Sequence, residues 1–115
     1  NLGVFDPGDG SAPIELVGYK IQFTQVRGDN SRDYFCKNEV GFGLNEGTKL
    51  EGFRMKNLMV TWMLGPLLPL NPDFTAWLLR LVTGEEVRPA FEEASRASYE
   101  RRLTEFRIPG VGMHV

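Results

Sequence analysis

The first half of the chain follows the period of β-strands. Within residues 14–26, every second position from Val17 to Phe23 is apolar, which is typical of a strand with one buried face. Residues 34–42 and 48–55 are further strand candidates, separated by turn sequences. Residues 58–64 are apolar at all but one position, which indicates a strand covered on both faces or held in an interface.

The period changes to that of a helix after residue 70. Asn71 is a favoured N-cap, Pro72 suits the first helical position, and Gly84 is a typical C-cap. Between them the apolar residues recur at helical spacing: Phe74, Trp77, Leu78, Leu81 and Val82. We therefore predict helices over about 72–83 and 89–106, the second with a thin apolar stripe typical of a surface helix.

These elements define an α+β domain over residues 14–106, with an antiparallel sheet of three to four strands (about 14–64) followed by two helices packed on one face. Residues 1–13 are rich in Gly, Pro, Asp and Ser, so we expect an extended arm. The arm is either a frayed terminus or a segment lying on a neighbouring subunit, with Phe5 as an anchor. Residues 107–115 are expected to form an irregular tail because they contain Pro109 and two glycines.

Composition excludes several classes of function. The chain has 115 residues, 42% hydrophobic and 24% charged, and a net charge of −2. Basic residues form no patch in either half, so no nucleic-acid partner is indicated. The most apolar run, residues 58–70, is too short to span a bilayer and contains two prolines, so no membrane insertion is expected. The first residues lack the features of a signal peptide, and the compartment is left open.

Residues that usually carry catalysis or metal binding are scarce. One cysteine and one histidine are too few for a zinc site. His114 is best explained as a solvated tail residue, and Cys36 as a buried structural thiol. We therefore predict no catalytic residue, no cofactor and no metal.

One tripeptide is a possible adhesive motif. Arg27, Gly28 and Asp29 lie in a predicted loop between two strands, and integrins recognise this tripeptide in adhesive ligands. The composition is equally that of an ordinary turn, which is the favoured interpretation.

Two functional hypotheses remain. The first is a non-enzymatic structural or assembly subunit, such as a virion or particle component or an adaptor, acting as a homo- or hetero-oligomer. Its predicted partner-binding residues are Phe5, Met59, Trp62, Met63, Leu67 and Leu68. The alternative is a small ligand-binding protein or enzyme, or an effector or inhibitor of a foreign protein. Its apolar pocket would be lined by Tyr19, Phe23, Tyr34, Phe53, Trp62 and Trp77.

Overall fold

The structure is a computed structural model that describes residues 1–110. Its strands are β1 (Leu2–Phe5), β2 (Ile14–Val17), β3 (Cys36–Val40), β4 (Leu50–Glu51), β5 (Phe53–Met55) and β6 (Leu58–Val60). Its helices are α1 (Leu67–Leu70), α2 (Pro72–Thr83) and α3 (Glu92–Arg107). The structure confirms the predicted α+β class, in which an antiparallel sheet is followed by helices. Helix α2 has the predicted bounds, whereas α3 begins later, after Phe91 adopts a left-handed conformation with φ 58°.

The main sheet has four antiparallel strands in the order β2-β1-β3-β4. Strands β5 and β6 form a separate hairpin joined by Lys56 and Asn57, and Lys56 takes the positive φ that such a tight turn requires. The predicted strands are present but shorter. The continuous strand expected over residues 14–26 ends as β2 at Val17, because β1 offers no partner beyond Leu2 and Tyr19 bridges to Leu64 instead.

The start of the chain differs from the predicted arm. Leu2 and Phe5 are fully buried, and β1 pairs with β2 on one side and β3 on the other. Gly3 permits this position, because a Cβ there would come within 2.9 Å of Cys36 and 2.7 Å of Asn38. Only the loop after β1 has the exposed turn character that the composition indicated. The predicted extended arm therefore contains β1, an inner strand of the main sheet.

The two long helices pack on different residues of the sheet. Phe5, at the end of β1, contacts Phe74 and Trp77 of α2 with ring centroids 5.1 and 5.0 Å apart. Tyr99 of α3 packs in a second cluster with Leu2 and Val17. The prediction of two helices on one face is thus refined, since α2 and α3 lie over separate apolar clusters.

Buried asparagines close both edges of the main sheet. The Asn71 side chain accepts a hydrogen bond from the Val17 N–H and donates one to the Val17 carbonyl, each 2.8 Å, as a neighbouring strand would. Asn30 donates to the carbonyls of Leu50 and Gly52 at the other edge. Asn71 occupies the predicted N-cap position of α2, but its side chain makes no cap hydrogen bond to the helix.

The described residues contain no helix that is long and apolar enough to cross a membrane. In the predicted tail, α3 continues to Arg107 and the last described residue is Gly110. His114, predicted to be a solvated residue, lies outside the described residues.

Candidate interaction surface

The apolar segment 58–64 connects the hairpin to an outer strand of the main sheet. At one end Val60 pairs with Phe53 in the hairpin. At the other end Leu64 and Tyr19 exchange two backbone hydrogen bonds of 2.7 and 2.8 Å, just beyond β2. The segment is therefore anchored at both ends, and its side chains alternate between the protein interior and the solvent.

Its outward side chains are apolar. Leu58, Val60 and Leu64 are 57%, 38% and 56% exposed. The intervening methionines point inward, where Met63 is fully buried in the core and Met59 packs against it. Exposed aliphatic side chains at every second position of an anchored segment are unusual for a solvated surface, where alternation normally places polar residues outward.

The neighbouring segment 19–23 has the same inverted pattern, in which apolar side chains point outward and the residues between them point inward. Ile21 and Phe23 are 50% and 98% exposed, whereas the side chains of Lys20 and Gln22 turn inward to backbone carbonyls. Tyr19 lies opposite Leu64 in the backbone bridge, so the two segments meet at this point. Their outward residues form what we call the apolar face: Tyr19, Ile21, Phe23, Leu58, Val60, Trp62 and Leu64.

A buried ion pair lies beneath the apolar face. Lys20 Nζ is 2.5 Å from Glu51 Oε2, and the two side chains are 2% and 0% exposed. The other oxygen of Glu51 accepts hydrogen bonds from the Thr61 hydroxyl (3.0 Å) and the Trp62 backbone N–H (2.8 Å). Both charges are thus paired and hydrogen-bonded, as buried charges must be. The pair fixes the backbone that presents Trp62 and Leu64.

The structure corrects two of the predicted partner-binding residues. Phe5 and Met63 are core residues and offer no side-chain surface to a partner. Met59 and Leu67 are half-buried and pack against the same core. Trp62, half-buried on the apolar face, packs against Phe53 with the ring centroids 6.3 Å apart. Leu68, 41% exposed, lies elsewhere, in a groove beside α1.

Sequence reasoning missed Leu58, Val60 and Leu64. A run that is apolar at both alternating sets of positions carries no periodic signal that separates the inward set from the outward set. The segment 19–23 did carry the alternation, but its apolar side was assumed to be buried. The inward position of Lys20 could not be predicted, because its partner Glu51 is distant in sequence.

The aromatic residues of the predicted pocket do not meet in one cavity. Trp77 is in the core beside Phe5, Phe23 is almost fully exposed, and Phe53 and Trp62 pack against each other. One concave region is an open apolar groove of about 450 Å³. It is lined mainly by small or apolar residues of α1, the loop before α3 and α3 itself, including Leu68, Phe91 and Ala94. Another, of about 310 Å³, lies in the loop around Gly47.

The Cys36 thiol is poorly suited to nucleophilic attack. It is fully buried on β3, and its Sγ lies 3.7 Å from Asn38 Oδ1. Burial, reinforced by the Glu51 carboxylate, raises the pKa of the Cys36 thiol to about 12. A thiol with so high a pKa carries almost no thiolate near neutral pH, and thiolate is the reactive form.

The remaining candidate chemistry is sparse. Arg27, Gly28 and Asp29 are exposed in a loop, and the adhesive interpretation stays a prediction. Within residues 1–110, no three side chains of histidine, cysteine, aspartate or glutamate are grouped so that they could hold a metal ion.

Comparison with known proteins gives one partial similarity. The chain is 34% identical over 74 residues to "Lipid II isoglutaminyl synthase (glutamine-hydrolyzing) subunit GatD" of Staphylococcus aureus (strain N315). The similarity covers 63% of this chain but only 30% of GatD, so the chain spans less than a third of the length of this relative. No family model matches the chain, and no solved structure matches it.

Proposed function

We propose that this chain acts through protein–protein contacts, as a non-catalytic structural unit of a larger assembly that it joins through the apolar face. The inverted pattern at residues 19–23 and 58–64 is the observation that carries this proposal. Apolar side chains point outward while a lysine and a glutamate are buried beneath them. Such an arrangement is favourable when another protein surface covers the outward side.

The chemistry of the apolar face favours a protein partner. Its seven residues carry no charge, so the face offers no attraction to the phosphates of a nucleic acid. Tyr19, Phe23 and Trp62 are aromatic, and aromatic residues are enriched at the centres of protein interfaces. The segment is fixed by the Lys20–Glu51 pair, so little conformational entropy is lost when a partner docks.

The similarity to GatD suggests the kind of assembly. GatD is named as a subunit of a synthase, and a stretch of this chain is similar to part of it. We therefore propose an assembly that contains a GatD-like, glutamine-hydrolysing component. Within residues 1–110 the chain itself supplies one thiol, Cys36, whose burial and raised pKa argue against a role as nucleophile.

Light scattering on the purified chain tests the contact role. Without its partner, the exposed apolar face should cause weak self-association, so the average mass should rise above 13.0 kDa as the protein concentration increases. Leu64→Glu should abolish this rise. Val82→Glu is the matched control, because Val82 is exposed on α2 and does not belong to the apolar face. A rise that Leu64→Glu leaves unchanged would contradict the proposal.

A second candidate function is glutamine hydrolysis by the chain itself, which the name of GatD favours. Glutamate release from glutamine by the purified chain separates the two candidates. We expect no release above that of buffer, and the same result for Cys36→Ser. Release that is lost in Cys36→Ser would support the enzyme and contradict a purely structural role.

A further inference from the structure

We infer that the hairpin of β5 and β6 is a flap, residues 53–60, which the Arg54 side chain latches to the rest of the protein and which opens without unfolding of the main sheet. The flap carries Leu58 and Val60 of the apolar face. Its opening therefore takes the apolar face apart, and the latch controls whether the complete face is presented. That consequence rests on the proposed function, whereas the opening itself does not.

The flap packs mainly on itself. Its two strands pair with each other, form a sheet separate from the main one and have few contacts with any other strand or helix. None of the residues 53–60 is fully buried. A two-stranded hairpin is marginally stable in water without further packing. Elements with few buried contacts open at a lower free energy than the core does, so the flap should open more readily than the main sheet.

The Arg54 side chain attaches the flap to the loop after β1. Its guanidinium donates hydrogen bonds to the backbone carbonyls of Asp6 and Pro7, at 2.5 and 2.6 Å. The same group lies over the rings of Phe5 and Trp77, 4.9 and 5.5 Å from their centroids. A planar guanidinium can donate to two acceptors and stack on aromatic rings at the same time, which an ammonium group cannot do. One side chain therefore joins the flap to this loop and to the aromatic core.

The other attachments of the flap are smaller. The Arg54 backbone N–H donates to the Asp33 carbonyl at 2.6 Å, and the partly buried Met59 packs against the core. Phe53 packs against Trp62, which lies just beyond the flap. The closed position therefore depends strongly on the side chain of Arg54.

The chain enters and leaves the flap at one fixed place. Gly52 precedes the flap with a φ of 64°, and a Cβ there would come within 2.0 Å of the Val60 carbonyl oxygen. After the flap, the Thr61 hydroxyl and the Trp62 N–H both donate to the buried carboxylate of Glu51. A few residues at the ends of an element are enough to absorb the backbone rotation of a hinge. The flap can thus open while the residues on either side stay in place.

Hydrogen exchange followed by mass spectrometry on dilute protein tests the flap. Arg54→Gln should accelerate amide exchange in residues 53–60 roughly tenfold or more and leave exchange in β1 and β3 unchanged. Arg54→Lys keeps the charge but cannot donate to two carbonyls in the same fixed geometry, so it should give a smaller acceleration. Arg101→Gln is the control, because Arg101 is exposed on α3, and it should change neither region.

Unchanged exchange of residues 53–60 in Arg54→Gln overturns the inference. An equal acceleration in the flap, β1 and β3, or a variant that fails to fold, overturns it as well, because Arg54 would then stabilise the whole fold. Light scattering of Leu64→Glu tests the contact role separately, so a failure of the flap and a failure of the proposed function are distinguishable.

Discussion

The buried pair beneath the apolar face gives the sharpest test of the structure. Lys20→Met removes one charge and leaves the Glu51 carboxylate, which is 0% exposed, without its cation. Breaking a buried ion pair in this way costs about 3–5 kcal/mol. Solvent does not screen either group, so the full range applies. Because Glu51 also holds Thr61 and Trp62, the loss should extend to the segment 58–64.

Urea unfolding at pH 7, followed by circular dichroism, measures this loss of stability. Arg102→Met is the control, since its pair with Glu105 is largely exposed and pairs of this kind contribute about 0.2–1 kcal/mol. The double variant Lys20→Met/Glu51→Gln should recover most of the loss, because no uncompensated charge remains and the amide oxygen can still accept from Trp62. A loss below about 1 kcal/mol for Lys20→Met would refute the buried pair.

Three further predictions concern individual side chains. Cys36 should resist iodoacetamide in the folded chain at pH 8 and react in urea. Because its folded pKa of about 12 exceeds the ordinary 9.0, stability should also fall as the pH rises above 9.0, and this loss should be smaller in Cys36→Ser. Hydrogen bonds from Ser11 lower the pKa of Asp9 from 3.8 to about 2, so the stability difference between wild type and Asp9→Asn should be constant above pH 3.8 and vanish towards pH 2. Asn71→Ala should lower the free energy of unfolding by about 2–4 kcal/mol, because buried backbone groups at the β2 edge lose their partners. Asn45→Ala should cost less, because the half-buried Asn45 side chain donates to one backbone carbonyl, that of Val26.

The sequence predicted those elements that are determined by residues close together in the chain. Helix α2 has the expected bounds because Pro72, the apolar stripe and Gly84 all lie within it or at its ends. The α+β class followed from the change of period after residue 70. The inner strand β1 could not be recognised, because its Gly-containing sequence is typical of a loop and its stability comes from pairing with β2 and β3.

The candidate surface was recognised only in part. The run from residue 58 was predicted to be a doubly covered or interface strand. The exposure of Leu58 and Leu64 excludes coverage on both faces within the chain, and the interface role stays a prediction. The division into inward and outward residues depends on the contact of Met63 with Gly18 and on the pairing of Leu64 with Tyr19, both long-range in sequence. The buried Lys20–Glu51 pair could not be predicted from the sequence either, since 31 positions separate the two residues.

Cysteine scanning of the segment 58–64 tests the central claim most directly. In a Cys36→Ser background, single cysteines at Val60 and Leu64 should be alkylated rapidly in dilute protein and more slowly in concentrated protein, where the apolar face is covered. Cysteines at Met59 and Met63 should react slowly at both concentrations, because these positions face the core. Rapid labelling at Met59 and Met63 with protection at Val60 and Leu64 in dilute protein would contradict the account.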